Sequence, residues 1–183
     1  MKNVLILNLC NKKDSLHVLE FIKPIETIIK KVTSKYEIKH HLEKIHYISY
    51  SHIIICGVPL KDFEYEQNLD TFSWIKNYTG NLLGICAGAQ VLSQTYGNTL
   101  SELQEIGLQK IEKNKNDVLI DEFTFPLEIY GLHNNSFGTL DNFNIILQGK
   151  IPEMIKHKTK NHYGCLFHPE VRNHKLIENF INL

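Results

Sequence analysis

Short apolar runs alternate with segments of helical spacing along the first half of the chain. Uninterrupted apolar runs are typical of parallel strands buried on both faces, and apolar residues three and four positions apart are typical of helices. The predicted strands lie at residues 3–9, 36–40, 52–57 and 82–85. The predicted helices lie at residues 15–31, 69–77 and 89–96. Pro24 falls inside the first helix, so we expect a break near Ile22, and Gly97 marks the end of the third.

From Leu108 onward the apolar runs become shorter, which favours antiparallel pairing. These runs lie at residues 110–112, 117–120, 127–130 and 143–147. The strand–helix alternation before them favours a parallel sheet covered on both sides. The predicted fold is therefore α/β, with a mixed, mostly parallel central sheet, helices on both faces and a small antiparallel β layer. At 183 residues we expect one domain over 1–183.

The charge balance narrows the range of partners. Twenty basic residues (Lys and Arg) match twenty acidic ones, so the formal net charge is zero. Such a chain has no electrostatic footprint for nucleic acid or an anionic membrane, and we expect neither as a partner. The four cysteines show no metal-ligand spacing, and no signal peptide or long apolar span is evident. We therefore expect no metal and a reducing cytoplasm.

The segment Gly84-Ile85-Cys86-Ala87-Gly88-Ala89-Gln90 carries the first candidate chemistry. It joins a predicted buried strand to a predicted helix, and small residues on both sides of Cys86 allow a tight, strained turn that exposes the thiol. A thiolate at a helix N-terminus is stabilised by the helix dipole. Cys86 is therefore a candidate nucleophile. On this motif alone, a buried structural cysteine is an equally good interpretation.

A second segment near the C-terminus, Phe167-His168-Pro169-Glu170, favours catalysis. Cysteine nucleophiles need an imidazole that takes the thiol proton and an acid that orients the imidazolium. His168 and Glu170 supply both groups. The alternative is that these two side chains cap a strand and contact water, and the presence of both segments in one chain makes that the weaker interpretation.

Together the two segments resemble the class I (triad-type) glutamine amidotransferases, whose motifs read G-x-C-x-G-x-Q and F-H-P-E. Within that family the resemblance is strongest to the stand-alone glutaminase subunit of archaeal GMP synthetase, and it runs from about Ile53 to the C-terminus. Three further stretches match in order, at residues 105–107, 132–135 and 177–180. The resemblance implies a flavodoxin-like fold and a Cys86–His168–Glu170 triad.

The resemblance also implies a glutamine site around the nucleophile. The oxyanion hole would use the backbone N–H groups of Ala87 and Val58, where Val58 replaces the second glycine of the family's S-G-G-P turn. That turn is either competent as it stands or becomes so only when glutamine or a partner binds, since a β-branched residue avoids positive φ. The residues expected to bind substrate are Gly57, Gln90, Gly131 and Leu132.

His133 and Asn135 occupy the family's S-H-x-D position, which implies a role at a partner interface. Asn135 replaces the acid, and the segment after Glu170 lacks the family's longer insertion. Both departures weaken the specific GMP synthetase assignment. His133 is therefore either an interface residue or an ordinary loop residue, and the two interpretations stay open.

The expected reaction is hydrolysis of L-glutamine to glutamate and ammonia through a γ-glutamyl thioester, with no cofactor. Because the chain has no P-loop or dinucleotide motif, an ammonia-accepting synthetase on a separate chain is expected. Two alternatives stay open. One is a stand-alone cysteine hydrolase of the same fold that cleaves γ-glutamyl or peptide bonds, and the other is a non-catalytic regulatory paralogue.

Overall fold

A computed structural model describes residues 2–183 as one nine-stranded sheet flanked by helices. The strands are β1 (Val4–Asn8), β2 (Tyr36–His40), β3 (His52–Ile55), β4 (Asn81–Ile85), β5 (Leu100–Lys113), β6 (Leu127–Phe137), β7 (Phe143–Gln148), β8 (Pro152–His157) and β9 (His162–Cys165). The α-helices are α1 (His17–Phe21), α2 (Lys23–Val32), α3 (Ala87–Thr95) and α4 (His174–Ile181). Two 3-10 helical segments span Tyr47–Ser49 and Glu64–Lys76.

The sheet is parallel on one side and antiparallel on the other. Its strand order is β2-β1-β3-β4-β9-β8-β7-β5-β6, and the first five strands pair in parallel. From β9 onward every neighbouring pair is antiparallel. The antiparallel strands thus extend the same sheet, and the separate antiparallel layer expected from the sequence is not confirmed. The mixed sheet with helices on both faces is confirmed.

Two apolar clusters cover the two faces of the parallel strands. Alternate residues of β1 point into opposite clusters: Val4 and Ile6 pack with α2 and α4, while Leu5 and Leu7 pack with α3 and the second 3-10 segment. Since every residue of β1 is buried, the strand is apolar on both faces, as the uninterrupted run predicted.

The predicted break in the first helix is confirmed. α1 ends at Phe21, α2 begins at Lys23, and Ile22 caps both. Pro24 lies in the first turn of α2, where its missing N–H costs no intrahelical hydrogen bond. The predicted end of the third helix is also confirmed, because Gly97 has a φ of 88° and closely follows α3.

Three sequence predictions in the middle of the chain were wrong in detail. The helix at 69–77 is part of a 3-10 segment that already begins at Glu64. The run at 110–112 belongs to a strand of 14 residues, and β8 was not predicted. Residues 117–120 form no strand: 118–120 lie in turns, and Leu119 and Ile120 pack into the core from this loop.

Candidate active site

Cys86 lies at the apex of the turn between β4 and α3. Its backbone has a φ of 48° and a ψ of −107°, and it is the one non-glycine residue with positive φ within residues 2–183. Such a conformation is strained for a side chain with a β-carbon. It places the thiol immediately before the first turn of α3, where the helix dipole favours a negative charge. The structure therefore has the elbow that the sequence predicts.

The two glycines of this turn are required by close backbone approaches. A β-carbon at Gly84 would lie 2.4 Å from the carbonyl oxygen of Gly88. A β-carbon at Gly88 would lie 2.1 Å from the carbonyl oxygen of Ile55, at the end of β3. Both contacts are far inside van der Waals distance, so only glycine lets α3 start this close to the sheet.

His168 and Glu170 form a buried hydrogen-bonded pair beyond the end of β9. Nδ1 of His168 lies 2.7 Å from Oε1 of Glu170, and the two side chains are 3% and 1% exposed. This contact directs the other ring nitrogen, Nε2, away from the carboxylate, and no residue of the described chain hydrogen-bonds to it. A nitrogen left free in this way is available to a reacting group.

Strand β6 contacts both catalytic segments, through the side chain of Cys86 and the backbone of His168. The thiol of Cys86 donates a hydrogen bond to the carbonyl oxygen of Leu132 at 3.3 Å. The backbone N–H of His168 donates to the carbonyl oxygen of Tyr130 at 2.9 Å. Gly131 lies between Tyr130 and Leu132 in β6, and it forms an isolated β-bridge with Phe167. The close packing of β6 against the 167–168 segment thus brings the two sequence motifs together.

Burial and nearby charges shift the pKa of His168 and the pKa values of the three cysteines outside the site in ways that distinguish them. Burial opposes a charge on the imidazole, but the charges of Glu170 and Cys86 outweigh it and raise the pKa of His168 well above its ordinary value. Burial raises the pKa of the Cys10 thiol to about 12, and it raises the pKa values of Cys56 and Cys165 well above their ordinary range. Burial therefore disfavours the thiolate, the reactive form, at these three cysteines.

A narrow cleft opens over Cys86. The turn after β3, the start of the second 3-10 segment, the elbow and β6 enclose it. Its lining residues are Val58, Pro59, Leu60, Asp62, Phe63, Tyr65, Cys86, Ala87, Gln90, His133, Asn134 and Asn135. The volume open to a water-sized sphere is about 20 Å³, which is room for about one water molecule.

Both expected oxyanion donors line this cleft. Ala87 is the first residue of α3, so its N–H has no acceptor within the helix. Val58 is 4% exposed and packs in the same apolar cluster as Tyr65 and Ala87. Its φ is not positive, because Cys86 alone among the described non-glycine residues has a positive φ. The β-branched side chain therefore causes no left-handed strain in this turn.

The expected substrate-binding residues fall into two groups. Gln90 lines the cleft, where Nε2 donates to the carbonyl of Asn135 at 3.0 Å and Oε1 accepts from the Tyr65 hydroxyl at 2.9 Å. Gly57 lies directly beside Cys86 and the imidazole of His168. The other two residues contribute through the backbone of β6: Gly131 bridges to the strand-like segment at Phe167, and Leu132 contacts the nucleophile through its carbonyl.

The two residues expected at a partner interface differ in exposure. The side chain of His133 is 0% exposed, so in this conformation it offers no surface to a second chain. Asn135 is partly exposed at the mouth of the cleft. An interface role therefore remains a prediction for Asn135, and His133 has a different environment from the one expected.

Comparison with known proteins decides the family. The family model described as glutamine amidotransferase class-I matches residues 15–182, a range that includes the elbow and the His168–Glu170 pair. The chain belongs to the class I glutamine amidotransferases. It is similar to a subunit of the glutamine-hydrolysing GMP synthase from Methanocaldococcus jannaschii, with 30% identity over 70% of this chain and 71% of that protein. The corresponding protein from Methanobrevibacter smithii is 29% identical over 60% of this chain.

The alignments cover only part of the length of some of these relatives. The alignment spans 63% of the M. smithii protein and 58% of its counterpart from Methanosphaera stadtmanae, less than two thirds of each. Among solved structures, this amidotransferase resembles a putative GMP synthase component from Thermoplasma acidophilum, with a TM-score of 0.83 at 17% identity over 100% of this chain and 94% of that one. A glutamine amidotransferase from Thermotoga maritima gives a TM-score of 0.74 at 18% identity, over 93% and 77% of the two chains. At these identities the likeness concerns the fold.

Sequence reasoning missed one wall of the amidotransferase cleft. Phe63 and Tyr65 come from a segment with no clear apolar period, and Tyr65 holds the side chain of Gln90. The place of Phe63 and Tyr65 at the site could in principle have been predicted, because both residues follow the carboxyl end of β3. Ligand sites of parallel sheets gather at those ends. Nothing in the local pattern indicated that this segment turns back over the elbow.

Proposed function

We propose that this chain is the glutaminase component of a glutamine amidotransferase. It hydrolyses L-glutamine to glutamate and ammonia with Cys86 as nucleophile, His168 as general base and Glu170 as the group that orients the imidazole. The observation that carries the proposal is the 2.7 Å contact between His168 and Glu170 beside a cysteine on a strained elbow. The pair supplies the oriented imidazole, with its Nε2 free, that cysteine acyl transfer requires beside the nucleophile.

The steps follow from the positions of these groups. In the reactive form the thiol proton of Cys86 resides on His168, whose raised pKa favours the imidazolium, and the thiolate sulfur attacks the carboxamide carbon of glutamine. The N–H groups of Ala87 and Val58 stabilise the tetrahedral oxyanion. Collapse of that intermediate breaks the C–N bond, His168 returns its proton to the leaving nitrogen, and ammonia departs. Water, deprotonated by His168, then hydrolyses the γ-glutamyl thioester and restores the thiol.

The ammonia is proposed to pass to a synthetase on a separate chain, such as the ATP-pyrophosphatase subunit of GMP synthase. The similarity to components of archaeal GMP synthases supports this partner. Asn135 at the mouth of the cleft is a candidate contact.

We further propose that residues 1–183 act as one amidotransferase domain in the cytoplasm, although residue 1 lies outside the described residues. No helix of the described chain is long and apolar enough to cross a membrane.

The small volume of the cleft supports coupling between this chain and its partner. Glutamine is several times larger than a water molecule, and we propose that it enters when Phe63, Tyr65 or the Val58 turn moves outward. We propose that binding of the synthetase favours the open arrangement, and that the isolated chain has low glutaminase activity.

A steady-state assay tests the proposal. We expect release of ammonia and glutamate from L-glutamine, stimulated by the candidate synthetase, and no release by Cys86→Ala. Cys10→Ser, at another buried cysteine, should keep the wild-type rate. Turnover of γ-glutamyl peptides with glutamine inert would identify the stand-alone hydrolase instead. No turnover and no labelling of Cys86 by a glutamine-analogue electrophile, even with the synthetase present, would identify the regulatory paralogue.

A further inference from the structure

Three ionisable side chains to which the proposed mechanism assigns no step meet beside the cleft. Glu105 lies on β5, His133 on β6 and Glu153 on β8. Each offers one ligand atom, and these three atoms all lie within 4.8 Å of one another. The register pairs Glu105 with His133 across the β5–β6 ladder, and the carbonyl of Glu153 accepts the N–H of Leu166 at 2.9 Å. The backbone thus holds all three side chains in position.

The cluster is largely buried, and Nε2 of His133 lies 3.5 Å from Oε2 of Glu105, too far for a good hydrogen bond. His133 is 1% exposed and Glu153 is 0% exposed. Five of its polar atoms have no hydrogen-bond partner within the described residues: Oε2 of Glu105, both ring nitrogens of His133 and both carboxylate oxygens of Glu153. Buried polar atoms without partners are costly and rare in native proteins. So many in one place, directed at one another, indicate a bound group.

The charge of the cluster indicates what kind of group fits. No lysine or arginine within residues 2–183 forms an ion pair with Glu105 or Glu153. Two acidic side chains and an imidazole with no basic partner are a ligand set that favours a cation.

We propose that Glu105, His133 and Glu153 bind a divalent first-row transition-metal ion of the Zn²⁺ type. One imidazole nitrogen and two carboxylate oxygens are a ligand set that such ions accept, with water completing the coordination. A +2 ion satisfies ligand atoms from three strands at once and neutralises both carboxylates.

The location of the cluster indicates a positioning role. His133 directly follows Leu132, whose carbonyl contacts the Cys86 thiol, and it lies two residues before Asn135, whose carbonyl contacts Gln90. An ion that ties β6 to β5 and β8 would hold both carbonyls at the cleft. The proposed mechanism assigns no step to these three residues, so the ion would stabilise the site without taking part in acyl transfer.

Calorimetric titration with Zn²⁺ tests the site. Because the thiol of Cys86 and the imidazole of His168 can also bind Zn²⁺, the titrations use Cys86→Ser protein that has been stripped with a chelator and dialysed. We expect one ion per chain and a higher unfolding temperature with the ion bound. Co²⁺ in place of Zn²⁺ should give visible d–d absorption bands that lack a thiolate charge-transfer band.

Variants assign the ion to these ligands. In the same background, Glu153→Gln should weaken Zn²⁺ binding more than tenfold, and His133→Ala should do the same. Glu112→Gln, at an exposed position of β5, is the matched control and should bind as the parent does. The proposal is overturned if the parent protein binds no stoichiometric Zn²⁺, or if Glu153→Gln binds as tightly as the parent. Should Glu153→Gln fail to fold, the titration of the parent protein still decides. None of these measurements depends on glutaminase activity.

Discussion

Gly57 and His168 approach each other so closely that a β-carbon on Gly57 would lie 2.8 Å from Cε1 of His168. The same β-carbon would lie 3.4 Å from Cβ of Cys86. The turn after β3 therefore fills the space beside both candidate catalytic side chains, and any side chain at position 57 must push one of them away.

Gly57→Ala is expected to reduce activity without unfolding the protein. The methyl group displaces the imidazole of His168 while the Glu170 contact resists the movement, and a displacement of about 1 Å costs about 10²-fold in rate. Steady-state kinetics should show a fall in kcat, and thermal melting should change little. Lys61→Ala, at an exposed position of the same loop, should behave like the parent. An unchanged kcat for Gly57→Ala would contradict the proposed position of the imidazole.

Cys86 is expected to be the one cysteine that a glutamine-analogue electrophile such as diazo-oxo-norleucine modifies. The raised pKa values of Cys10, Cys56 and Cys165 keep their thiols protonated. Mass spectrometry of digested protein, with the candidate synthetase present, should place the adduct on the peptide that contains Cys86. Cys10→Ser should be labelled to the same extent as the parent. An adduct on another cysteine would speak against the elbow as the reactive site.

Glu170→Gln is expected to lower both activity and stability, with a characteristic pH dependence. The Glu170 charge helps raise the pKa of His168, so the charged imidazole stabilises the folded state. That contribution is complete below the ordinary histidine pKa of about 6.5 and is lost as the pH rises through the raised value.

Urea unfolding over a series of pH values measures this effect. The loss of stability in Glu170→Gln should be about 2 kcal/mol near pH 6, the size of a hydrogen bond to a charged group, and should shrink toward alkaline pH. Glu64→Gln, at an exposed position, should show no such trend. The kcat of Glu170→Gln should fall by up to about 10⁴-fold, as in triads whose acid becomes an amide. A loss of stability that grows with pH would contradict the assignment.

Phe63→Ala is expected to improve glutamine binding by the isolated chain. Phe63 is 44% exposed and narrows a cleft that holds about one water molecule. Removal of the ring should lower KM by about fivefold, equivalent to about 1 kcal/mol. Gln67→Ala, exposed one turn later in the same segment, is the control. If KM rises instead, the ring contacts the substrate and does not obstruct it.

Local patterns predicted four of the five parallel strands. Uninterrupted apolar runs marked β1, β3 and β4, and Pro24 indicated the break at Ile22 between α1 and α2. The antiparallel half was harder, because β5 is mostly exposed and its 14 residues carry few apolar ones. Its strand structure comes from pairing with β6, a contact between residues that are distant in the sequence.

The sequence by itself determined which groups could react: a cysteine between two glycines, and a histidine two residues before a glutamate. Those motifs identify chemistry because the turn and the His168–Glu170 contact are local, and local geometry follows from residue type and spacing. Only the tertiary structure decided that β6 supports both motifs, that Phe63 and Tyr65 narrow the cleft, and that Glu105, His133 and Glu153 meet. Each of these contacts joins segments that are far apart along the chain, so no local pattern contains it.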